Sequence, residues 1–166
     1  MCGYTRERFY SFTWVRKSLE ESDIPKIAIN GVPVKYMMLL SSKTGREGNI
    51  ASLIAPFLMT DHELELTFFL YSSLIGSSSA TSSQSTLTLM LSKCRMRSYL
   101  LYKAKAKANT WTKHSVILPA GEYDLIFRGT MGTEQVSDLA LAMVNLKIAK
   151  GNQSSNPISE FYVLHL

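Results

Sequence analysis

The sequence predicts an all-β protein, an antiparallel β-sandwich, and three observations carry that prediction. Apolar and polar residues alternate with period two in several short runs, most clearly in TLTLMLS at 86–92; this places alternate side chains on opposite faces of an extended strand. Roughly eight or nine such runs recur about 10–15 residues apart, with turn-forming residues between them, as in sandwich folds. No stretch sustains the apolar period of a helix. RKSLEESDIPKI (16–27) has room only for a helical turn before Pro25.

The first predicted strand is YMMLLSS (36–42), an apolar run ended by the turn-rich KTGREGN. IASLIAPFL (50–58) sets Ile50, Ser52 and Ile54 against Ala51, Leu53 and Ala55, and Pro56 marks a strand end or bulge. LELTFFLYS (64–72) is dense in aromatic and aliphatic residues, as a strand buried on at least one face should be. The Ser-rich 72–85 reads as a long exposed connection without a phosphate-cradling pattern. In 86–92, Leu87, Leu89 and Leu91 face one way and Thr86, Thr88 and Met90 the other; 98–107 continues the alternation.

TWTKHSVILPAGEYDLIFRGT (110–130) reads as a hairpin broken at Pro119-Ala-Gly121. Leu125 and Phe127 are expected to pack inward, Asp124 and Arg128 to meet solvent, and Trp111 to serve the core or a seam between sheets. The last strand, 138–148, opposes Leu139, Leu141 and Met143 to Ala140, Ala142 and Val144.

The 166 residues suffice for one domain with a real core. No apolar run approaches the roughly 20 residues that span a bilayer, and MCGYTRERFYSFTW lacks the apolar stretch of a signal peptide. The net charge of +5 is concentrated in Lys93, Arg95, Arg97, Lys103, Lys105 and Lys107. That cluster is a candidate polyanion-binding surface; its plainer reading is a solvated strand pair whose lysines deter edge-to-edge aggregation. Cys2 and Cys94 match neither a zinc site nor a disulfide framework, though a single bridge between them is open.

Residues for catalysis are scarce, and the protein is expected not to be an enzyme. His62, His114 and His165 fall in no ligand or triad pattern, and no GxSxG elbow is present. The carboxylates Asp61, Glu63, Glu65, Glu122, Asp124, Glu134 and Asp138 are scattered. Glu63 and Glu65 share a strand face, yet glycosidase pairs come more often from different strands, so a solvated face explains them better. Asp61 and Asp138 are oxygen donors that suit calcium but fall far short of a ligand set. Asn152-Gln-Ser154 is a glycosylation acceptor if the chain enters the secretory pathway.

The order of motifs resembles a known family. MCGYT is followed by FTWVR (12–16), then by YMML…REGNIASLIAPFL, ELTFFLY, LTLML, YLLYKAKAKANTWTKHSVILP, YDLIFRGTMG (123–132) and SDLALAMVNL (137–146). This series is similar to the MAM domain, the adhesion module of meprins, receptor tyrosine phosphatases and neuropilins, in a divergent or N-terminally truncated form. The resemblance implies a jelly-roll sandwich over residues 2–148, with 149–166 a C-terminal extension or linker. It also implies an extracellular or cell-surface, non-catalytic module of a larger protein, making homophilic or heterophilic protein contacts. Nucleic acid and membrane insertion by this chain are not expected. The alternative is a carbohydrate- or glycosaminoglycan-binding sandwich using the Lys93–Lys107 cluster.

Departures from the family pattern shape further expectations. Of four family cysteines, Cys2 matches the second; about Glu65 stands at the third, the fourth is absent after VNL, and Cys94 matches none. The family's cation site uses acidic residues, of which Asp138 remains while Ala142 and Met143 replace two aspartates. No cofactor is therefore expected, and a calcium or sodium site is doubtful.

Overall fold

The computed structural model describes residues 13–29, 31–40, 48–55, 57–73, 85–93, 97–104, 109–132, 138–149 and 162–163. All regular elements among them are strands: β1 (Val15–Ser18), β2 (Ala28–Ile29), β3 (Val32–Pro33), β4 (Tyr36–Leu40), β5 (Ile50–Ile54), β6 (Leu58–Thr60) and β7 (Leu64–Ser72). They continue as β8 (Thr86–Lys93), β9 (Arg97–Ala104), β10 (Thr112–Leu118), β11 (Gly121–Thr130), β12 (Leu139–Ile148) and β13 (Tyr162–Val163). One sheet runs β1-β4-β12-β7-β10, with β13 beside β12; the other runs β5-β11-β8-β9, with β6 also on β11. Every pairing is antiparallel. From β4 onward the chain passes repeatedly between the sheets, giving the expected jelly-roll sandwich.

Period-two patterning decides what fills the space between the sheets. Leu66, Phe68 and Leu70 of β7 face Leu87 and Leu89 of β8 and Leu125 and Phe127 of β11, all fully buried. Each such side chain contributes about 1.5–3 kcal/mol by leaving water. The Phe68 and Phe127 rings meet edge to face, 6.1 Å apart at 88°, the arrangement their quadrupoles favour. Trp14 closes one side of this core and donates its indole N–H to the Ala51 carbonyl across the sandwich at 3.2 Å.

A second apolar cluster lies on the outer face of the first sheet. Leu19, Ile24 and Val34, from the segment between β1 and β4, cover Met37, Leu39, Tyr71, Ala140 and Ala142. That segment holds no helical turn: β1 occupies 15–18, and bends follow, with the Ser22 hydroxyl donating to the Leu19 carbonyl at 3.0 Å. Short polar sequence flanked by anchoring apolar residues is better satisfied as a cover than as a helix too short to nucleate.

Three local expectations change. The stretch 110–130 is a corner between sheets: β10 pairs with β7, whereas β11 pairs with β5, β6 and β8. A two-residue hairpin needs positive φ within its loop, but Pro119 and Ala120 do not supply it and Gly121, at φ 142°, already belongs to β11. The buried Tyr123 hydroxyl donates to the Pro119 carbonyl at 2.7 Å and pins the corner. Trp111 lies outside the inter-sheet core; it packs on the second cluster against Tyr71, 5.4 Å between rings, and donates to the Pro25 carbonyl at 2.7 Å.

The third change is in β12, where register against β7 shifts between Ala142 and Asn145. Met143 adopts φ 51° and turns outward, 48% exposed, so Val144 instead enters the core. A bulge interrupts strict alternation, and a non-glycine residue in this backbone region is strained.

Candidate interaction surface

Two of the candidate catalytic groups, the His114 ring and the Glu65 carboxylate, tie strands together. His62 sits in the turn between β6 and β7, where the Thr60 hydroxyl bonds both its carbonyl (2.9 Å) and its amide (3.2 Å); its ring lies 3.4 Å from the Asp61 carboxylate, both exposed. Glu65 does not pair with Glu63. Its carboxylate accepts from the Ser115 hydroxyl at 2.7 Å and meets Lys147 at 3.0 Å. These two contacts, the hydroxyl first, hold the Glu65 carboxyl below its ordinary value of 4.5.

Asp138 precedes β12; its amide donates to the Ser73 hydroxyl at 2.7 Å and its carbonyl accepts from the Ser73 amide at 3.0 Å. Its charge, after burial, helps raise the Tyr71 phenol above its usual range. Ala142 contributes a buried methyl to the second cluster and Met143 a thioether at the bulge. A hard cation asks for six or more oxygen ligands, and of these three positions Asp138 carries the carboxylate. Among the described residues no three His, Cys, Asp or Glu side chains gather as a metal site. Cys2, Cys94, Glu134, Asn152 and His165 lie outside the described residues.

His114 is buried between the sheets. It stacks on Phe68 at 5.2 Å, and its Nδ1 lies 3.1 Å from the Tyr102 hydroxyl of β9, a polar link across the sandwich edge. Nε2 is buried with no hydrogen-bond partner among the described residues. Burial therefore disfavours the imidazolium and holds His114 below its ordinary 6.5. The unfolded chain takes up a proton here before the folded one does, so stability is full above about pH 6.5 and falls as pH drops toward the folded-state value. Urea unfolding should show this loss in the wild type between about pH 7 and pH 5, and His114→Gln should flatten it. An unchanged pH slope in the variant would remove the assignment. Glu65 acts in a separate window, losing its contribution only below 4.5.

The basic cluster is divided. Lys93 and Arg97 stand directly opposite each other at the end of the β8–β9 ladder where the chain passes from one strand to the other, both exposed. Lys103 pairs with Thr88 on the other side of the sheet. A register shift between Leu89 and Met90 keeps Tyr99, Tyr102 and Ala104 opposite the inward leucines, and Lys103, Leu100 and Ser98 opposite outward residues. Arg95, Lys105 and Lys107 lie outside the described residues. Like charges directly across a ladder repel, while cations on an edge strand such as β9 discourage further strand pairing.

The outer face of the β5-β11-β8-β9 sheet carries a feature the sequence reading missed. Register places Ile54, Ile126, Met90 and Leu100 in one row across four strands. Ile54 is 41% and Leu100 64% exposed, while Ile126 between them is 8% exposed. On one side of this row lie Ser52, Arg128, Thr88 and Lys103; on the other lie Asp124, Ser92 and Ser98. The signal was present in Asp124-x-Ile126-x-Arg128, an isoleucine in the outward-facing set of a core strand. Only pairing joined it to the outward apolar residues of three distant segments.

Comparison with known proteins adds context to this face. The family model described as MAM domain, meprin/A5/mu, matches residues 1–152. The chain is similar to MAM domain-containing glycosylphosphatidylinositol anchor protein 1 of Homo sapiens, 27% identical over 159 residues, covering 89% of this chain and 16% of that protein. The Gallus gallus counterpart is 27% identical over 171 residues, covering 95% of this chain and 17% of its own length. The chain thus spans about a sixth of the length of these curated relatives. Among solved structures it is similar to the K3 cleaved adhesin domain of Lys-gingipain from Porphyromonas gingivalis, with TM-score 0.49, 15% identity, and coverage of 80% of this chain and 90% of that one. It is also similar to the CBM22-1 xylan-binding domain of Paenibacillus barcinonensis Xyn10C, with TM-score 0.44, 14% identity, and coverage of 82% and 86%.

Proposed function

This chain belongs to the MAM domain family, and from that premise we propose that it is a non-catalytic extracellular module that contacts proteins, carried within a longer cell-surface or secreted chain. The observation that supports this most is the apolar row Ile54–Ile126–Met90–Leu100 on the outer sheet face, exposed at its two ends and flanked by Arg128 and Asp124. Apolar side chains lined up at a surface and rimmed by charge mark a contact site. Two groups that catalysis could use, the His114 ring and the Glu65 carboxylate, are instead engaged in bonds that link strands. The names of the similar relatives, which refer to a lipid anchor, favour placement at the cell surface.

The test is adhesion: beads densely coated with the protein are applied to cell surfaces before and after protease and heparinase treatment. Binding that is lost to protease and kept after heparinase supports a protein partner. Binding lost to heparinase overturns it.

One observation favours a second reading, binding of a polyanion: Lys93 and Arg97 oppose each other, exposed, with no ion pair to a described residue. An anion bridging them would relieve their repulsion. Under that reading Lys93→Ala with Arg97→Ala elutes earlier from immobilised heparin than wild type, whereas Lys103→Ala alone, on the other side of the sheet, shifts little. Equal elution of wild type and the double variant removes the reading.

A further inference from the structure

We propose that β9 is an edge strand released by acid: near neutral pH the Tyr102–His114 bond holds it against β10, and protonation of His114 lets it swing away, taking Leu100 and Lys103 out of the outer sheet face. The release is a property of the fold. Its effect on adhesion rests on the reading of that face as a contact surface, and adds regulation to it.

Side-chain bonds tie the two sheets at both edges. Trp14 donates to Ala51 on the side where β1 and β5 lie, and Tyr102 meets His114 on the side where β9 and β10 lie. Each of these last two strands ends its sheet, β9 beside β8 and β10 beside β7. They are not equally held. β10 keeps seven residues in unbroken register with β7 and buries His114, Val116 and Leu118. β9 buries Ala104 alone, with Leu101 and Tyr102 half-buried and its first four residues exposed. Its register with β8 also shifts between Leu89 and Met90. Few buried apolar contacts give a segment a low opening free energy, so β9 is the strand that leaves.

The His114 ring cannot hold a charge cheaply where it sits. Phe68 of β7 stacks on it at 5.2 Å, and Tyr102 of β9 meets it edge-on with 6.0 Å between ring centres. Between the sheets β7 adds Leu66 and Leu70, β8 Leu87 and Leu89, β11 Leu125 and Phe127, and β9 Ala104. The charged groups of these strands lie elsewhere. Lys113 on β10, Glu65 on β7, Lys103 on β9 and Glu122, Asp124 and Arg128 on β11 alternate to the outer faces, and Lys93 and Arg97 stand at the end of the β8–β9 ladder. The Tyr123 hydroxyl is bonded to Pro119. Charging the ring puts a proton on both nitrogens. Nδ1 then donates to the Tyr102 oxygen and turns that hydroxyl's proton away, while Nε2–H has no acceptor among the described residues. A buried charge without a partner is costly, and water reaches this one when Tyr102 moves off it.

Release changes the outer face. Leu100 and Lys103 leave with β9, so the apolar row shrinks to Ile54, Ile126 and Met90. The ring titrates near its ordinary 6.5 when opened and lower when closed, because burial disfavours its charged form. The opened state therefore gains as pH falls through that interval, by about tenfold between roughly pH 7.5 and pH 5. Contacts made through this face near neutral pH weaken in acid.

Hydrogen exchange of the full chain in low urea, corrected for the intrinsic pH dependence of amide exchange, reads the release strand by strand. The β9 amides should exchange through an opening that urea barely changes, because it exposes little surface, whereas β7 and β11 amides exchange through urea-sensitive global unfolding. The β9 opening should become about tenfold more populated between roughly pH 7.5 and pH 5, and His114→Gln should remove that rise. Tyr102→Phe keeps the ring and loses the hydroxyl, so β9 should open severalfold more at neutral pH while β10 stays protected. A β9 that opens only with the core, an opening indifferent to pH, an acid rise that survives in His114→Gln, or unchanged β9 protection in Tyr102→Phe would each overturn the release. Protein-coated beads should adhere to cell surfaces near neutral pH and let go in acid, and His114→Gln beads should adhere alike in both. If β9 opens but wild-type adhesion ignores pH, the regulation of the face falls. If the beads adhere to no protease-sensitive surface at neutral pH, the contact reading falls and the exchange result decides the release by itself.

Discussion

Trp14→Ala is expected to destabilise the protein by about 3–5 kcal/mol, the range for removing a large buried aromatic from a packed core. Trp14 is buried against the inter-sheet cluster and bonds the Ala51 carbonyl of the opposite sheet. Truncation leaves a cavity where the two sheets meet and strands that carbonyl in an apolar setting, costs that add. For a chain of this length the melting temperature should fall by roughly 6–20 °C. Trp14→Phe should recover most of the packing but not the hydrogen bond, and so fall between. A loss below about 0.5 kcal/mol, within the scatter of surface substitutions, would mean that the segment before β1 is not docked.

Gly129→Ala is the second large effect, expected at about 1–3 kcal/mol, the usual cost of overpacking. A Cβ built at Gly129 meets Leu40 Cδ2 at 2.5 Å, Trp14 Cζ2 at 3.0 Å and Leu139 Cδ2 at 3.5 Å. A flexible leucine tip at the surface could move aside, but Leu40 and Leu139 are fully buried and Trp14 nearly so. The clash has no open space into which to relax. Trimming Leu40 to valine removes one of the crowding methyl groups, so Gly129→Ala should cost less in a Leu40→Val background. Denaturant melts of the four proteins of that cycle read the coupling directly. Strict additivity, within about 0.3–0.5 kcal/mol, would show that Leu40 and Gly129 do not compete for the same space.

How far the sequence reached differs from strand to strand. Leu87, Leu89 and Leu91 were placed on one face by alternation alone, and all three are buried. Leu125 and Phe127 followed the same rule on β11. The rule failed at Met143, because one extra residue at a bulge inverts every side chain beyond it. No residue type in LALAMVNL announces that extra residue. The break at Pro119 was visible, but whether the chain turns back beside itself or crosses to the other sheet depends on which strand offers the next free edge.

The same distinction separates the two kinds of functional residue. His114 and Glu65 were visible as titratable groups, and only Tyr102, Phe68, Ser115 and Lys147, brought from other strands, made them structural. The described members of the basic cluster are split by the register shift in β9 into Lys93 and Arg97 on one side and Lys103 on the other.

By itself, the sequence determined the sandwich class, the position of most strands, the two faces of strands without a bulge and the family resemblance. All of these are written in local order, as alternation and as motifs in series. The tertiary structure alone decided which strands are neighbours, and therefore that Ile54, Ile126, Met90 and Leu100 form one row with Arg128 and Asp124 on either side of it. The physical reason is the antiparallel ladder: its register joins residues dozens of positions apart, and the side chains of any one strand carry only their own share of the face.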